Sequence, residues 1–275
     1  MALWHTVTVV VSAANFILGA LLLFGLFRKK IEPDNAKYAL LLRLLGLVFV
    51  AVALYRSIFV SSYQNRLAWY DTVLNSPFLI RSLAFFAELC FNGMIAAILL
   101  KMGGEMNLAG DSKLARAAAK LPLAGFACIF AAQFFAYAAL VAQYKTALAI
   151  EETLWALAFF SYAPPVVLGL REAKRRPAAF RGYKAFLLVM AVWCAGYLLF
   201  QCVGALPLHY AHIAQDAGLV VPPDALRTAI YGYTQTRDFA AWGGISFFIW
   251  HTGYFSLCSW MALLFMTAPR KRVEG

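Results

Sequence analysis

The sequence predicts an all-α integral membrane protein, a bundle of seven transmembrane helices with its N-terminus outside and its C-terminus in the cytoplasm. Apolar and aromatic residues make up 63% of the 275 residues, and only 13% are charged, whereas a soluble domain carries about 25%. The apolar residues form stretches long enough to cross a bilayer, which takes about 20 residues. The basic residues collect in alternate connecting segments. Together these observations exclude a soluble globular domain and a disordered chain.

Seven apolar stretches are predicted to be the helices of a single membrane domain that covers residues 1–275. They lie at about 6–27, 38–62, 77–100, 121–143, 149–170, 185–207 and 239–266. Little chain remains between them, which leaves no room for a separate soluble domain of about 100 residues. The longest connection, 208–238, is predicted to lie outside and is long enough for a lid or a partner-binding surface.

The distribution of charge sets the predicted orientation. With segment 28–37 placed inside, the inner segments hold 17 of the 24 basic residues and the outer segments hold four, as the positive-inside rule requires. The net charge of +11 is therefore interpreted as an orientation signal that attracts anionic headgroups on the cytoplasmic side, and nucleic acid is not a predicted partner. The compact loops favour a bacterial inner membrane over a eukaryotic one.

Ionisable side chains inside a bilayer are costly and need a partner or a cavity. Glu88 lies near the middle of the third predicted helix, with Arg81 two turns before it and Asn92 one turn after it on the same face. These three residues predict a polar stripe that faces the bundle interior. Glu88 is either a proton-handling or ligand-pairing carboxylate, or one half of a structural ion pair with an arginine from another helix.

Two further residues share this depth. Arg56, in the outer part of the second helix, is placed to reach Glu88 or Asp71, or else its side chain extends to the outer headgroups. His251, in the middle of the seventh helix, lies at the level of Glu88. It is interpreted either as a catalytic partner of Glu88 or as a hydrogen-bonded core residue.

Glu151 and Glu152 begin the fifth helix at its outer end, where they are either site residues or interfacial anchors. Six of the seven helices place a polar side chain near the level of Glu88 and His251, the others being Asn15, Gln133, Ser161, Tyr162 and Tyr197. Above this level lie Arg56, Arg81, Asp71, Glu152 and Asp238. That level predicts either a set of interhelical hydrogen bonds or the polar floor of a cavity that opens outward. The candidate catalytic residues are Glu88 and His251, and the candidate ligand-binding residues are Arg56, Asp71, Arg81, Asn92, Glu151, Glu152, Trp155, Tyr197 and Tyr254.

Metal and cofactor sites have little support in the sequence. All five cysteines fall within predicted helices without metal-binding spacing, and the pair His209 and His212 has no third ligand in its motif. No metal site is therefore predicted, and the sequence names no cofactor.

Three short stretches resemble an uncharacterised family of multi-pass, seven-helix membrane proteins: Tyr55-Arg-Ser57, Arg81-Ser-Leu-Ala-Phe-Phe-Ala-Glu-Leu-Cys-Phe91 and Ile150-Glu-Glu-Thr-Leu-Trp-Ala156. This resemblance implies a multi-pass fold and carries no activity. The small seven-helix terpene cyclases are a looser analogy, as membrane enzymes that use intramembrane acids, without a shared motif.

Three functions fit these features. In the first, a polar intramembrane cavity open to the outer side binds or converts a lipid-like or isoprenoid-like molecule, with Glu88 as proton donor or base and Arg56 and Arg81 as a clamp. The second is a seven-helix receptor or sensor whose inner loops contact a partner. The third is an accessory subunit of a membrane protein complex. Whether the protein is an enzyme stays open, and a transporter would need a repeat or a ring of pore charges that the sequence does not show.

Overall fold

The computed structural model describes residues 2–28, 33–108 and 113–271. Within these ranges the chain forms eight helices and three strands of two residues each. Helices α1 to α5 span Ala2–Arg28, Pro33–Ile58, Pro77–Glu105, Lys113–Ala142 and Lys145–Arg175. Helix α6 covers Lys184–Phe200, a π-helical turn Gln201–Ala205 and Leu206–Ala211. The short α7 is Ala225–Tyr231, and α8 covers Gly244–Gly253, a second π-helical turn Tyr254–Cys258 and Ser259–Phe265.

Six helical segments of the described chain are long and apolar enough to cross a membrane, and the protein is therefore a polytopic membrane protein. They are α1 to α5 and the stretch Arg181–Asp216 that contains α6. The seven-helix count is not confirmed, because α8 is not among the six. Its polar residues, such as His251 and Ser259, lower its hydropathy below that of the other long helices.

Helix α3 lies at the centre of the bundle. Of its membrane-spanning window, 56% is buried, against 22% for that of α1. Consecutive long helices pack side by side from α1 to α6, and the second half of α8 packs against α1, α2 and α3. Small residues such as Ala84 and Ala87, both buried, let neighbouring helices approach α3 closely. The buried polar residues Arg81, Glu88 and Asn92 of α3 therefore face other helices.

The apolar core fills the half of the bundle nearer the basic loops. Phe265 of α8 lies between Phe91 of α3 and Phe186 of α6, with ring centroids 5.9 and 5.2 Å apart. All three rings are buried. We call this end of the bundle, which carries Lys101, Arg171 and the other basic residues of alternate loops, the basic end.

A small sheet covers the opposite end, which we call the capped end. Strand β1 (Ser61–Ser62) pairs antiparallel with β2 (Leu67–Ala68), and β2 pairs parallel with β3 (Thr234–Gln235). The predicted second helix reached residue 62, but α2 ends at Ile58. The buried Asn75 holds the turn that replaces the last helical residues, because its amide donates to the Val60 carbonyl at 2.7 Å and its oxygen accepts from the Tyr70 amide at 2.9 Å.

Helix α8 begins later than the predicted position 239. Gly243 and Gly244 have φ angles of 93° and 62°, a left-handed conformation that residues with a Cβ rarely adopt. Gly243 is therefore the N-cap of the helix, and Gly244 is its first residue. Trp242, just ahead of them, packs against Trp69 of the cap with ring centroids 6.3 Å apart.

Candidate functional site

The polar stripe predicted on α3 forms as a buried ion pair. The Arg81 guanidinium donates to both carboxylate oxygens of Glu88, at 2.6 and 3.3 Å. Their side chains are only 4% and 8% exposed. Asn92, one turn on, donates to the Glu88 backbone carbonyl at 2.9 Å, and its buried side-chain oxygen has no partner among the described residues. The spacing of two turns brings Arg81 and Glu88 together because both side chains lie on one face of the helix.

Helices α4 and α5 complete the surroundings of Arg81. Gln133 of α4 accepts a hydrogen bond from the Arg81 guanidinium, and a carboxylate oxygen of Glu151 lies 3.9 Å from it. Glu151 is almost fully buried at 3% exposure. Polar residues of three helices thus meet in one contact, with Arg81 at its centre.

Tyr63, in the turn between β1 and β2, closes this group from the capped end. Its hydroxyl donates to Glu151 at 2.9 Å, and its ring lies under the Arg81 guanidinium, 5.5 Å from centroid to Cζ. Burial raises the pKa of the Tyr63 phenol well above its usual range, and the Glu151 carboxylate adds to this rise. Tyr63 is therefore a hydrogen-bond donor at neutral pH. Sequence analysis did not identify Tyr63, because it lies just beyond the predicted second helix.

Arg56 reaches the same group from α2, but with longer contacts. Its guanidinium lies 4.0 Å from Glu88 and 3.5 Å from the Tyr254 hydroxyl, and it lies over the rings of Tyr254 and Phe255 at 5.2 and 5.3 Å. Its buried Nε has no partner among the described residues. We call Arg56, Arg81, Glu88 and Glu151 the charged cluster. It contains two guanidinium groups and two carboxylates, a balance that lowers the cost of burying it.

Glu152 belongs to a second polar group beside the cluster. The side-chain amide of Gln201 donates to Glu152 at 2.6 Å and to the Tyr197 hydroxyl at 2.8 Å. The buried amide oxygen of Gln201 has no partner in the described chain. Trp155 lies next to this group, with its ring 6.3 Å from that of Tyr197. Three predicted residues thus meet around Gln201, a residue that was not predicted.

Both polar groups receive a side chain from a π-helical turn. Gln201 is the first residue of the turn in α6, and Tyr254 is the first residue of the turn in α8. A π-helical turn accommodates an extra residue and redirects the side chains beside it, and such turns are frequent at functional sites. Periodicity in the sequence does not reveal them, because one extra residue barely changes the apolar pattern.

His251 is buried but is not joined to Glu88 by any hydrogen bond or ion pair within the described residues. Its ring lies among the aromatic rings of Trp4, Phe247 and Phe255, at centroid distances of 5.0, 5.3 and 4.4 Å. Its buried Nδ1 has no partner there. The structure thus does not form the predicted pairing of His251 with Glu88.

Asp71 also lies apart from the cluster. It is exposed in the loop of the capped end, and in the described part of the chain no hydrogen bond or ion pair connects it to Arg56. Among the described residues, no group of three or more His, Cys, Asp or Glu side chains is placed to hold a metal ion.

No protein-family model matches the chain, and neither a curated protein nor a solved structure matches it. No family is therefore identified. The structure establishes a polytopic helical membrane protein with six candidate membrane spans and a buried charged cluster on α2, α3 and α5.

Proposed function

We propose that the protein crosses the membrane seven times and binds an amphiphilic, lipid-like or isoprenoid-like small molecule at its charged cluster, with the polar head of the ligand at Arg56. As an extension of this proposal, the protein converts the bound molecule chemically, with Glu88 as the proton donor or base. The compact loops favour a bacterial inner membrane.

The seventh crossing is supported by the course of α8. Trp242, just before it, packs against the cap. The chain just after it lies at the basic end, where the Tyr38 hydroxyl donates to the Pro269 carbonyl and Glu105 accepts from the Lys271 amide at 2.7 Å. Helix α8 therefore runs the full length of the bundle, beside helices that are themselves long enough to cross. The charge asymmetry places the basic end in the cytoplasm.

The binding site is supported above all by the incomplete bonding of Arg56. A guanidinium has five N–H donors, and a buried donor without an acceptor costs free energy. Arg81 has close acceptors in Glu88 and Gln133, whereas Arg56 has contacts no shorter than 3.5 Å. A carboxylate, phosphate or hydroxyl on a ligand would complete its bonding. The rings of Tyr254 and Phe255 next to it offer an apolar surface to the rest of the ligand.

Access from the bilayer is supported by the packing of α6 against α8. The two helices meet at Ser259–Phe265, near the basic end. Towards the capped end, Val203 of α6 and Ile249 and Trp250 of α8 are exposed. We infer that an amphiphile enters sideways between these two helices, where its apolar part stays in contact with lipid.

The test is to purify the protein in native lipid discs and identify bound small molecules by mass spectrometry, with Arg56→Gln and Arg43→Gln alongside. Arg43 is a matched control on the same helix, where it donates to the backbone carbonyls of Leu22 and Met266. We expect a stoichiometric amphiphile in the wild type and in Arg43→Gln, and at least about a tenfold loss in Arg56→Gln, from a charge-assisted bond of 1.5–3 kcal/mol. Equal occupancy in both variants would contradict the proposal.

A role as an accessory subunit is the second candidate, and the bonding of Arg81 favours it. Glu88 and Gln133 satisfy its terminal nitrogens, as in a structural ion pair that holds helices together. The same preparation separates the two functions. A protein without ligand that arrives with partner subunits in fixed ratio would support assembly and not binding.

A further inference from the structure

An open pocket lies at the basic end of the bundle. It is formed by the end of α5 and the chain that follows α3, and none of its lining residues belongs to the charged cluster. Its volume is about 840 Å³. One wall consists of residues from Leu168 to the end of α5 at Arg175, together with Arg176, which follows the helix. The other is the chain that leaves α3, Met106 to Leu108. Both walls belong to the ends of candidate membrane spans, which places the pocket at the level of the lipid headgroups.

The lining of this pocket is strongly basic. It contains Arg171, Lys174, Arg175 and Arg176 against a single acid, Glu172. Glu172 is already bound, at 2.5 Å to Arg176 and 3.9 Å to Arg175. Within the described residues, Arg171 and Lys174 have no acidic partner. Among the residues that the structure describes, the pocket therefore presents two cations that no carboxylate neutralises.

The order of these residues along α5 matches the arrangement of the apolar chains and the charged headgroup in a phospholipid. Leu168 and Arg171 are three residues apart and Arg171 and Arg175 four, so they follow one face of the helix. The face changes from apolar to basic in the direction of the membrane surface. Leu108 adds an apolar side chain to the opposite wall, and Asn107 adds an exposed amide.

We propose that this pocket binds the phosphate headgroup of an anionic diacyl phospholipid, with Arg171 and Lys174 on the phosphate and an acyl chain along Leu168. Charge complementarity selects an anionic lipid over a zwitterionic one, and the apolar face selects a lipid over a soluble phosphate. The proposal is independent of the ligand at Arg56 and does not depend on which side of the membrane the basic end faces.

The experiment is a native mass spectrometry titration of the detergent-solubilised protein with phosphatidylglycerol, phosphatidylcholine and glycerol 3-phosphate. The test variant is Arg171→Gln/Lys174→Gln. Its matched control, Arg181→Gln/Lys184→Gln, removes two exposed basic charges from the same end outside the pocket. Each basic side chain near an anionic headgroup contributes roughly a fivefold gain in affinity. We therefore expect the dissociation constant for phosphatidylglycerol to rise roughly 25-fold in the test variant and less than about twofold in the control.

Three results would overturn the proposal. An equal loss in the control variant would show general attraction to a basic surface. Equal affinity of the wild type for phosphatidylcholine and phosphatidylglycerol would show that the pocket does not select lipids by the charge of their headgroup. Binding of glycerol 3-phosphate as tight as that of the lipid would identify a soluble anion as the ligand. The variant Arg171→Lys/Lys174→Arg keeps both charges, and we expect it to retain wild-type affinity. It thereby shows whether the loss of affinity in the test variant comes from the lost charge or from misfolding.

Discussion

Two buried arginines in this protein differ in how completely they are bonded. Arg81 and Arg56 are 4% and 8% exposed, and both lie near Glu88. Arg81 has a bidentate contact with Glu88 and a further bond to Gln133, and so it holds α3 and α4 together. The Nε of both arginines has no partner among the described residues, but the terminal nitrogens of Arg56 come no closer than 4.0 Å to Glu88 and 3.5 Å to the Tyr254 hydroxyl. The same residue type thus serves structure at one position and has spare bonding capacity at the other.

Tyr63 offers a test of how the cap contributes to the charged cluster. Tyr63→Phe removes the bond to Glu151 but keeps the ring under Arg81. A hydrogen bond to a charged group contributes about 1.5–3 kcal/mol, and we expect this loss in the free energy of unfolding measured by denaturant titration in micelles. Tyr55→Phe is the matched control, because its hydroxyl donates to the carbonyl of Leu74 at an exposed position. We expect that change to cost about 1 kcal/mol or less.

We also expect the stability of Tyr63→Phe to differ from that of the wild type at alkaline pH. Because the pKa of Tyr63 is raised in the folded protein, the unfolded chain loses this proton first, above about pH 10. Stability is then lost as pH rises from that value towards the folded pKa. Tyr63→Phe lacks this contribution, and we expect its stability to fall less steeply above pH 10 than that of the wild type. Parallel slopes would show that Tyr63 ionises as freely in the folded protein as in the unfolded one.

At the scale of elements, the two π-helical turns position the site. They place Gln201 next to Glu152 and Tyr254 next to Arg56. From the last residue of the turn in α8 onward, Cys258, Met261 and Phe265 still face the core. A regular α-helix with the same sequence would have to give up either the polar contact or the core packing. The extra residue allows one helix to satisfy both.

Deleting Leu257 tests this view of α8. Leu257 lies in the π-helical turn with its side chain 47% exposed, and its removal lets the turn become α-helical. The part of α8 before the turn then rotates by about 100° relative to the part after it, which moves Tyr254 away from Arg56. We expect ligand occupancy, measured by mass spectrometry, to fall about tenfold or more, since the contacts in the site are misaligned. Leu257→Ala removes the side chain without the rotation and should keep occupancy, so equal loss in both variants would argue against a role for the turn.

At the scale of the whole molecule, the charge asymmetry and the course of α8 together predict the topology. Asp238 lies just before α8 at the capped end and Lys271 just after it at the basic end, and both are exposed. We expect a membrane-impermeant maleimide to label Asp238→Cys in intact cells and to label Lys271→Cys only after permeabilisation. The parent protein, with its five native cysteines, provides the background. Labelling of both positions from one side would show that α8 does not cross the membrane.

Much of the fold follows from hydropathy alone. The apolar stretches that predicted helices appear as α1 to α6 and α8, because in a bilayer each span must satisfy its own backbone hydrogen bonds. The cap was not predictable in this way. Its strands are two residues long, and β2 pairs with β3 across more than 160 residues of sequence. Pairing at such a separation leaves no periodic signal in either segment.

The sequence by itself determined that the chain is a polytopic membrane protein, and it identified the buried charged residues Arg56, Arg81, Glu88 and Glu151, because charge and hydropathy are properties of single residues and short windows. It also placed Arg81 and Glu88 on one face of the same helix, since the helical period is fixed. Only the tertiary structure decided that Glu151 and Arg56 join them, that Tyr63 and Gln201 take part, and that His251 and Asp71 do not contact Glu88 and Arg56. These contacts depend on how helices rotate and pack against one another, which the period of one helix does not fix.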